Sequence, residues 1–353
     1  MTTPGSPSPL RATRGSRGAV ATLSDVARAA QVSLATASRV LNGSERKVAD
    51  AFRERVERAA AELGYTTNVS AQATARGTSP VIALLVGDIA DPYFAALASG
   101  VARGADEHGL VVTIAVTERE PAREARILRA LRGQRPQGLI LAASRTGDPL
   151  EAETARELAG FSALGGRVVT FGSVGSGIRH VDIDNRAGAA QLGARMAGLG
   201  YRSAIVVAAD DGVHTSDERL SGFRAGFEGG GGVIDRVLRA DFHRDAAASA
   251  MAAALEEGVP PGTLVFGMSD VVAIGAMAAI RAAGRTVGAD IAVCGFDDVP
   301  SSSDVTPPLT TVRVPLGDAG YQAFRAAVDA DWEQPPLPLD VIVRASTPRV
   351  RAA

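Results

Sequence analysis

Apolar positions along the 353-residue chain follow two different spacings. Between Thr22 and Asn42 the spacing is helical. Leu23, Val26, Ala27 and Ala30 recur at i, i+3, i+4 and i+7, which predicts one buried face of a short helix. Thr22 is placed to cap it, with Asp25 three residues on as a shortened capping-box partner. Gln31 and Val32 form a joint, and Ser33 caps a second helix whose inner face is Ala37, Val40 and Leu41. The outer face carries Leu34, Ala35, Ser38, Arg39 and Asn42, a small, polar and basic surface thin enough for a major groove. Taken alone, this stretch also suits an ordinary αα-hairpin. A third helix is expected where Val48, Phe52, Val56, Ala60 and Leu63 repeat at near-helical spacing, with Gly64 just past its end.

From Val81 the pattern becomes short, continuous apolar runs alternating with helical stretches. VIALLV, VVTIAV, GLILAA and RVVTF predict buried parallel strands, with helices over Pro92–Glu107 and Arg123–Arg132. A second set comes next: a helix over Arg186–Leu199, AIVVAA, a helix from Glu218, a helix over FHRDAAASAMAAALEE, TLVFG, a helix over Val271–Ala283 and IAVCGF. Two successive βαβ runs predict two doubly wound parallel-sheet subdomains. Gly229–Gly232 is expected to be a flexible loop between units. Polar, small residues 68–79 predict a linker, and the Pro-, Gly-, Ser- and Arg-rich first twenty residues predict disorder.

Charge separates the same two regions. Residues 1–78 hold eleven basic against six acidic side chains, a balance of +5, and the remainder balances at −7. A basic N-terminal segment on an acidic body is the footprint of nucleic-acid binding by one domain. The single cysteine, Cys294, excludes a disulfide framework and a Cys-based metal site. No apolar run reaches membrane-spanning length, and residues 1–19 lack a secretory apolar core, so the expected compartment is the cytoplasm. The four histidines are scattered. No nucleophile elbow, Walker loop or paired-carboxylate array appears, so no enzyme activity, cofactor or metal is expected.

Five strings share one resemblance: LSDVARAAQVSLATASRVLNG at 23–43, ERVERAAAELGYTTN at 54–68, DIADPYF at 88–94, ERLSGFRAGF at 218–227 and VGADIAVCGFDDVPSSSDVTPPLTTVRVP at 287–315. Over about residues 20–345 the chain resembles the lactose/galactose-repressor (LacI/GalR) family of bacterial transcriptional regulators. The resemblance implies a multidomain chain: an all-α helix-turn-helix DNA-binding domain plus an α/β periplasmic-binding-protein-like core. Beyond the tail over 1–20 that composition predicts to be disordered, it implies the DNA-binding domain over 21–67 and a hinge over 68–79. The effector-binding and dimerisation core then fills 80–353, its N-subdomain about 80–177 and 314–336 and its C-subdomain about 178–313 and 337–350. The expected function is a repressor that binds a pseudo-palindromic operator as a homodimer and responds to a sugar-like effector. The competing readings are a cytoplasmic small-molecule-binding protein without operator function and, more remotely, an α/β enzyme.

By the same resemblance, Leu34, Ala35, Ser38 and Arg39 face the groove. Thr22, Ser33 and Asn42 suit phosphate or backbone contacts, and Thr36 and the hinge residues Asn68 and Thr74 complete the DNA-binding set. Thr74 stands where the family usually carries a leucine wedge, and Thr67 where a proline is usual, which implies a weaker kink in the DNA. The implied effector set is Asp91, Tyr93, Phe94, Ser173, Arg219, Phe242, Ser269 and Asp297, with Phe296 as a further flat surface and Asp298 as a turn former. Ser173 replaces a common acid and Ser269 a common amide, leaving room for a larger or less hydroxylated ligand.

Overall fold

The computed structural model describes residues 21–42, 48–66, 78–143, 152–172 and 178–350. The chain divides into a small helical unit, Met1–Ala75, and a large α/β unit, Arg76–Ala353.

In the small unit, α1 (Leu23–Ala29), α2 (Leu34–Asn42) and α3 (Asp50–Glu62) pack together. Thr22 forms the capping box: its Oγ1 accepts the Asp25 N–H at 3.3 Å, and Asp25 Oδ2 accepts the Thr22 N–H at 3.0 Å. At the joint Gln31 takes φ 53°, the left-handed region, which lets Val32 N–H donate to Ala27 O at 3.0 Å. Ser33 then accepts the Thr36 N–H at 3.0 Å and starts α2. Val26, Ala27, Ala30, Ala37, Val56, Ala59 and Ala60 form the core, rimmed by Leu23, Val32, Val40, Leu41 and Tyr65. The face expected of α3 is partly corrected. Phe52 and Leu63 are 44% and 41% exposed, and Ala59 takes the inner place beside Val56 and Ala60. Phe52 lies instead under the Arg55 guanidinium, 5.0 Å from its ring centre.

The large unit opens with β1 (Ser79–Val86), α4 (Pro92–Glu107), β2 (Val111–Val116), α5 (Pro121–Gln134), β3 (Pro136–Leu141), α6 (Ala152–Ala163), β4 (Arg167–Phe171) and β5 (Arg179–Val181). These strands make one parallel sheet in the order β2-β1-β3-β4-β5. A second parallel sheet comes next, built from α7 (Asn185–Gly198), β6 (Ser203–Ala208), α8 (His214–Gly229), β7 (Val233–Arg239), α9 (Arg244–Glu257), β8 (Leu264–Gly267), α10 (Asp270–Ala282) and β9 (Ala292–Cys294), in the order β7-β6-β8-β9. After the single turn α11 (Ser301–Asp304), β10 (Thr311–Arg313) and β11 (Asp340–Ile342) pair antiparallel. Between them α12 (Leu316–Val328) returns to pack on α4 and the first sheet.

Several sequence expectations need correction. Phe242 and His243 precede α9, with His243 at its N-cap. The helix expected from Glu218 starts at His214. The Gly229–Gly232 stretch closes α8 through backbone bonds from Gly230, Gly231 and Gly232 and leads straight into β7, a strand that the apolar runs do not reveal.

Two glycines permit the close approach that places Arg219. A Cβ at Gly222 would lie 2.1 Å from Arg186 O, and one at Gly226 would lie 2.0 Å from Ala190 O. Only glycine lets α8 press this tightly on α7, and that contact brings Arg219 of α8 against Asn185 of α7.

Candidate functional site

The loops at the carboxyl ends of both sheets meet around one cavity with about 340 Å³ of empty space. From the first sheet come Asp91, Tyr93 and Phe94 after β1, Arg119 after β2 and Ala142 after β3. From the second come Thr215 and Arg219 after β6, Phe242 after β7, Ser269 after β8 and Asp297 after β9. Parallel strands end with their loops on one side, so two facing doubly wound sheets converge there.

Arg219 and Asp297, each about 3% exposed at the side chain, form the cavity's ion pair. Arg219 Nη2 donates to Asp297 Oδ1 at 2.8 Å and Nη1 to Oδ2 at 3.3 Å. The other Arg219 bonds are also internal: Nε donates to Asn185 Oδ1 at 2.9 Å and Nη1 to Met268 O at 2.7 Å. Phe296 lies beneath the guanidinium at 4.0 Å and is fully buried, so it supports Arg219 and does not line the cavity, contrary to expectation. Burial pushes the Asp297 carboxyl up to about 7, against the lowering effect of Arg219. Asp297 itself sits at φ 112°, held by an N–H bond to Val312 O at 2.8 Å. Asp298 is not a simple turn former. Its carboxylate accepts from Arg313 Nε and pairs with Arg344 Nη2, both at 2.7 Å.

Asp91 caps α4 by accepting the Tyr93 N–H at 3.0 Å, and burial raises its pKa. Burial also raises the Tyr93 phenol. Ser269 caps α10 through the Val272 N–H at 3.4 Å. Behind it lies Asp270, fully buried, whose carboxylate accepts from Ser302 Oγ and Thr311 Oγ1 at 2.6 Å each and from Val299 N at 2.9 Å. Burial pushes this carboxyl up to about 7. The Asp270 network ties α10 to the 297–302 loop and so fixes the backbone that carries Asp297.

Seven of the eight residues expected at the cavity line it, and Ser173 lies outside the described residues. Arg119, Ala142 and Thr215 were missed. The rule that ligands sit beyond strand carboxyl ends would have found the first two, since they come after β2 and β3. Thr215 lies one helical turn before Arg219.

On the small unit, Leu34 is 51% exposed and Ala35 and Arg39 share its outward face. No described carboxylate pairs with Arg39. Thr22 and Ser33 are partly committed: Thr22 Oγ1 donates to Asp25 Oδ2 at 2.6 Å, and Ser33 Oγ and Thr36 Oγ1 lie 2.8 Å apart. Hydrogen bonding to Thr22 holds the Asp25 carboxyl below its usual range. Ser38 sits half-buried on α2, to which Asn42 also belongs, and Asn68 and Thr74 lie outside the described residues. Among those described, no helix is long and apolar enough to cross a membrane, and no group of three His, Cys, Asp or Glu is arranged to hold a metal ion.

A helix-turn-helix with an outward polar helix, followed by two doubly wound sheets around a cavity, defines a DNA-binding regulator with a ligand-binding core. Residues 22–68 match the bacterial regulatory proteins of the lacI family, and residues 194–351 match the periplasmic binding protein-like domain. The HTH-type transcriptional regulator CelR of Thermobifida fusca is 33% identical over 315 residues, 87% of this chain and 91% of CelR. A solved complex of CelR with cellobiose aligns with a TM-score of 0.65 at 30% identity, over 92% of this chain and 99% of that one. The lac repressor dimer bound to operator and the anti-inducer ONPF aligns with a TM-score of 0.79 at 26% identity, over 94% and 100%. The chain belongs to the lacI family of bacterial regulatory proteins, and it is a DNA-binding transcriptional regulator. CelR and the lac repressor are regulators, not enzymes.

Proposed function

We propose that the protein is a cytoplasmic repressor that binds a pseudo-palindromic operator as a homodimer and has no enzyme activity of its own. A small sugar-like effector in the core cavity sets its grip on the operator. The observation that carries this reading is the presence in one chain of an exposed reading helix and a lined cavity. Leu34 and Ala35 meet thymine methyls, Arg39 meets guanine or phosphate, and Thr22, Ser33, Thr36, Ser38 and Asn42 hold the backbone. Asn68 and Thr74 extend the contact from a hinge over 68–79. The cavity residues Asp91, Tyr93, Phe94, Ser173, Arg219, Phe242, Ser269 and Asp297 hold the effector. Polar groups grip its hydroxyls and the aromatic rings face its C–H surfaces.

In this reading the core is two subdomains, about 80–177 with 314–336 and about 178–313 with 337–350, and the packing of α12 on the first sheet supports the first grouping. The ligand bridges them, changes their relative pose and so changes the free energy of ordering two hinges on DNA. CelR, whose solved complex contains cellobiose, supports a carbohydrate effector.

The test is selection of a random duplex library on the full chain, followed by release with a panel of sugars. The expected result is enrichment of an inverted repeat whose retention falls in one sugar. Enrichment of no sequence at any salt concentration would contradict the reading.

A further inference from the structure

The cavity holds two arginines in opposite conditions. Arg219 is nearly saturated by Asp297, Asn185 and the Met268 carbonyl, which leaves only the second Nη2 proton for a ligand. Arg119 lines the same cavity, and its Nε is buried with no hydrogen-bond partner. No described residue accepts a hydrogen bond from its guanidinium, and no described carboxylate lies within ion-pair distance of it. Three nearby acids are engaged elsewhere. Glu118 pairs with Arg123 at 2.6 Å, and Asp88 accepts the Ala90 N–H at 2.8 Å and lies 3.5 Å from His243 Nδ1. Asp91 accepts the Tyr93 N–H. Burial lowers the Arg119 pKa, and Asp91, Asp88 and Asp241 offset only part of that, with none of them bonded to it.

The placement of Arg119 is built, not incidental. Glu118 and Arg119 both occupy the left-handed region, at φ 55° and 57°, in the turn that leaves β2. The turn is pinned by Thr117, whose N–H donates to Val86 O at 2.9 Å and whose Oγ1 accepts the Arg119 N–H at 3.3 Å. The Arg119 side chain runs over Gly87, where a Cβ would stand 3.2 Å from its Cγ, Nε and Cζ. Its guanidinium carbon lies over two rings, 5.8 Å from the centre of Phe94 and 5.3 Å from that of Phe242. Ring contacts of this kind use none of a guanidinium's N–H donors, and an unpartnered guanidinium fork matches a planar oxyanion bidentately.

We propose that the effector carries an acidic group, a carboxylate or a phosphate, which the edge of Arg119 binds. The inference rests on the reading of this cavity as the effector site and narrows its ligand class to an anionic carbohydrate. Arg219 and Asp297 position the hydroxyl-bearing part, and Arg119 takes the oxyanion.

The experiment is calorimetric titration of the full chain with three matched sets. One is uronic and aldonic acids, one is sugar phosphates, and one is the corresponding neutral sugars, with inorganic phosphate alone as a further probe. At least one acid is expected to bind about tenfold or more tightly than its neutral counterpart, and Arg119→Gln to weaken that acid about 10- to 100-fold while changing neutral sugars less than about threefold. Arg119→Lys keeps the charge without the fork and is expected to fall between the two, and unchanged thermal melting shows that both variants fold. The preferred set distinguishes carboxylate from phosphate. Neutral sugars binding as well as or better than every acid, or acid binding indifferent to both substitutions, would overturn the proposal while leaving the cavity reading in place. Failure of acids and neutral sugars alike would overturn both.

Discussion

The two units of this chain handle their polar groups in opposite ways. In the small unit the outward face of α2 is left exposed: Leu34 is half in solvent and Arg39 has no described carboxylate partner. Its core is a handful of valines and alanines. Around the cavity of the large unit, by contrast, charged groups such as Arg219, Asp297 and Asp270 are buried and bonded to partners within the fold. A surface that reads a flexible polyanion gains from exposed, uncommitted donors, whereas a cavity that discriminates a small molecule gains from groups already fixed in place. Arg119 is the departure at the cavity, a half-buried cation left without a described partner as the small unit leaves its exposed ones.

The contrast breaks most visibly at the buried pair. Arg219→Ala leaves the Asp297 carboxylate without its cation, which is expected to cost the large unit about 3–5 kcal/mol at pH 8. Because burial already pushes Asp297 up to about 7, the loss should shrink at pH 5, where it takes up a proton. Urea unfolding at both pH values checks this, and an equal loss at the two would argue against it. On the exposed helix the effect should fall on binding instead. Arg39→Ala is expected to weaken specific duplex binding about 10- to 100-fold while its melting temperature and sugar affinity stay close to wild type. Parallel anisotropy and calorimetry separate the two outcomes.

A finer test concerns Asp270, whose carboxyl is raised to about 7 from an ordinary 3.8. Between those values the folded chain keeps a proton that the unfolded chain has released. The stabilisation is therefore full at low pH and is lost as pH rises through about 7. This group alone should contribute a slope of about −1.4 kcal/mol per pH unit in that window. Asp270→Asn should flatten the wild-type slope, as measured by urea midpoints from pH 4.5 to 8, and an unchanged slope would count against the assignment. The smallest effect is expected at the first helix. Thr22→Ala removes the N-cap acceptor and should cost the small unit about 1 kcal/mol, read from circular dichroism of its melting.

The same contrast explains what could be read from the amino-acid order. The helix-turn-helix was legible because its spacing, caps and outer polar face all point one way, and the buried strands were legible as continuous apolar runs. VIDRVLR was not. β7 is a half-exposed edge strand, with Val233 57% exposed, so its residues alternate and leave no apolar run. Phe52 was misplaced because spacing alone cannot tell an inward ring from one covered by an arginine on the same helix. At the cavity, Arg219 and Asp297 were legible through family strings. Arg119 was not, because its role depends on a turn and on two rings brought together from distant segments.

The exposed helix and the satisfied cavity are held to be coupled in one molecule, and that coupling can be measured directly. The measurement is fluorescence anisotropy of the library-selected duplex, titrated with the full chain in the absence and presence of a saturating concentration of the sugar found by calorimetry. A midpoint that moves about tenfold or more is predicted, the range expected of a coupling free energy between two sites. A midpoint unchanged under saturation would contradict the account.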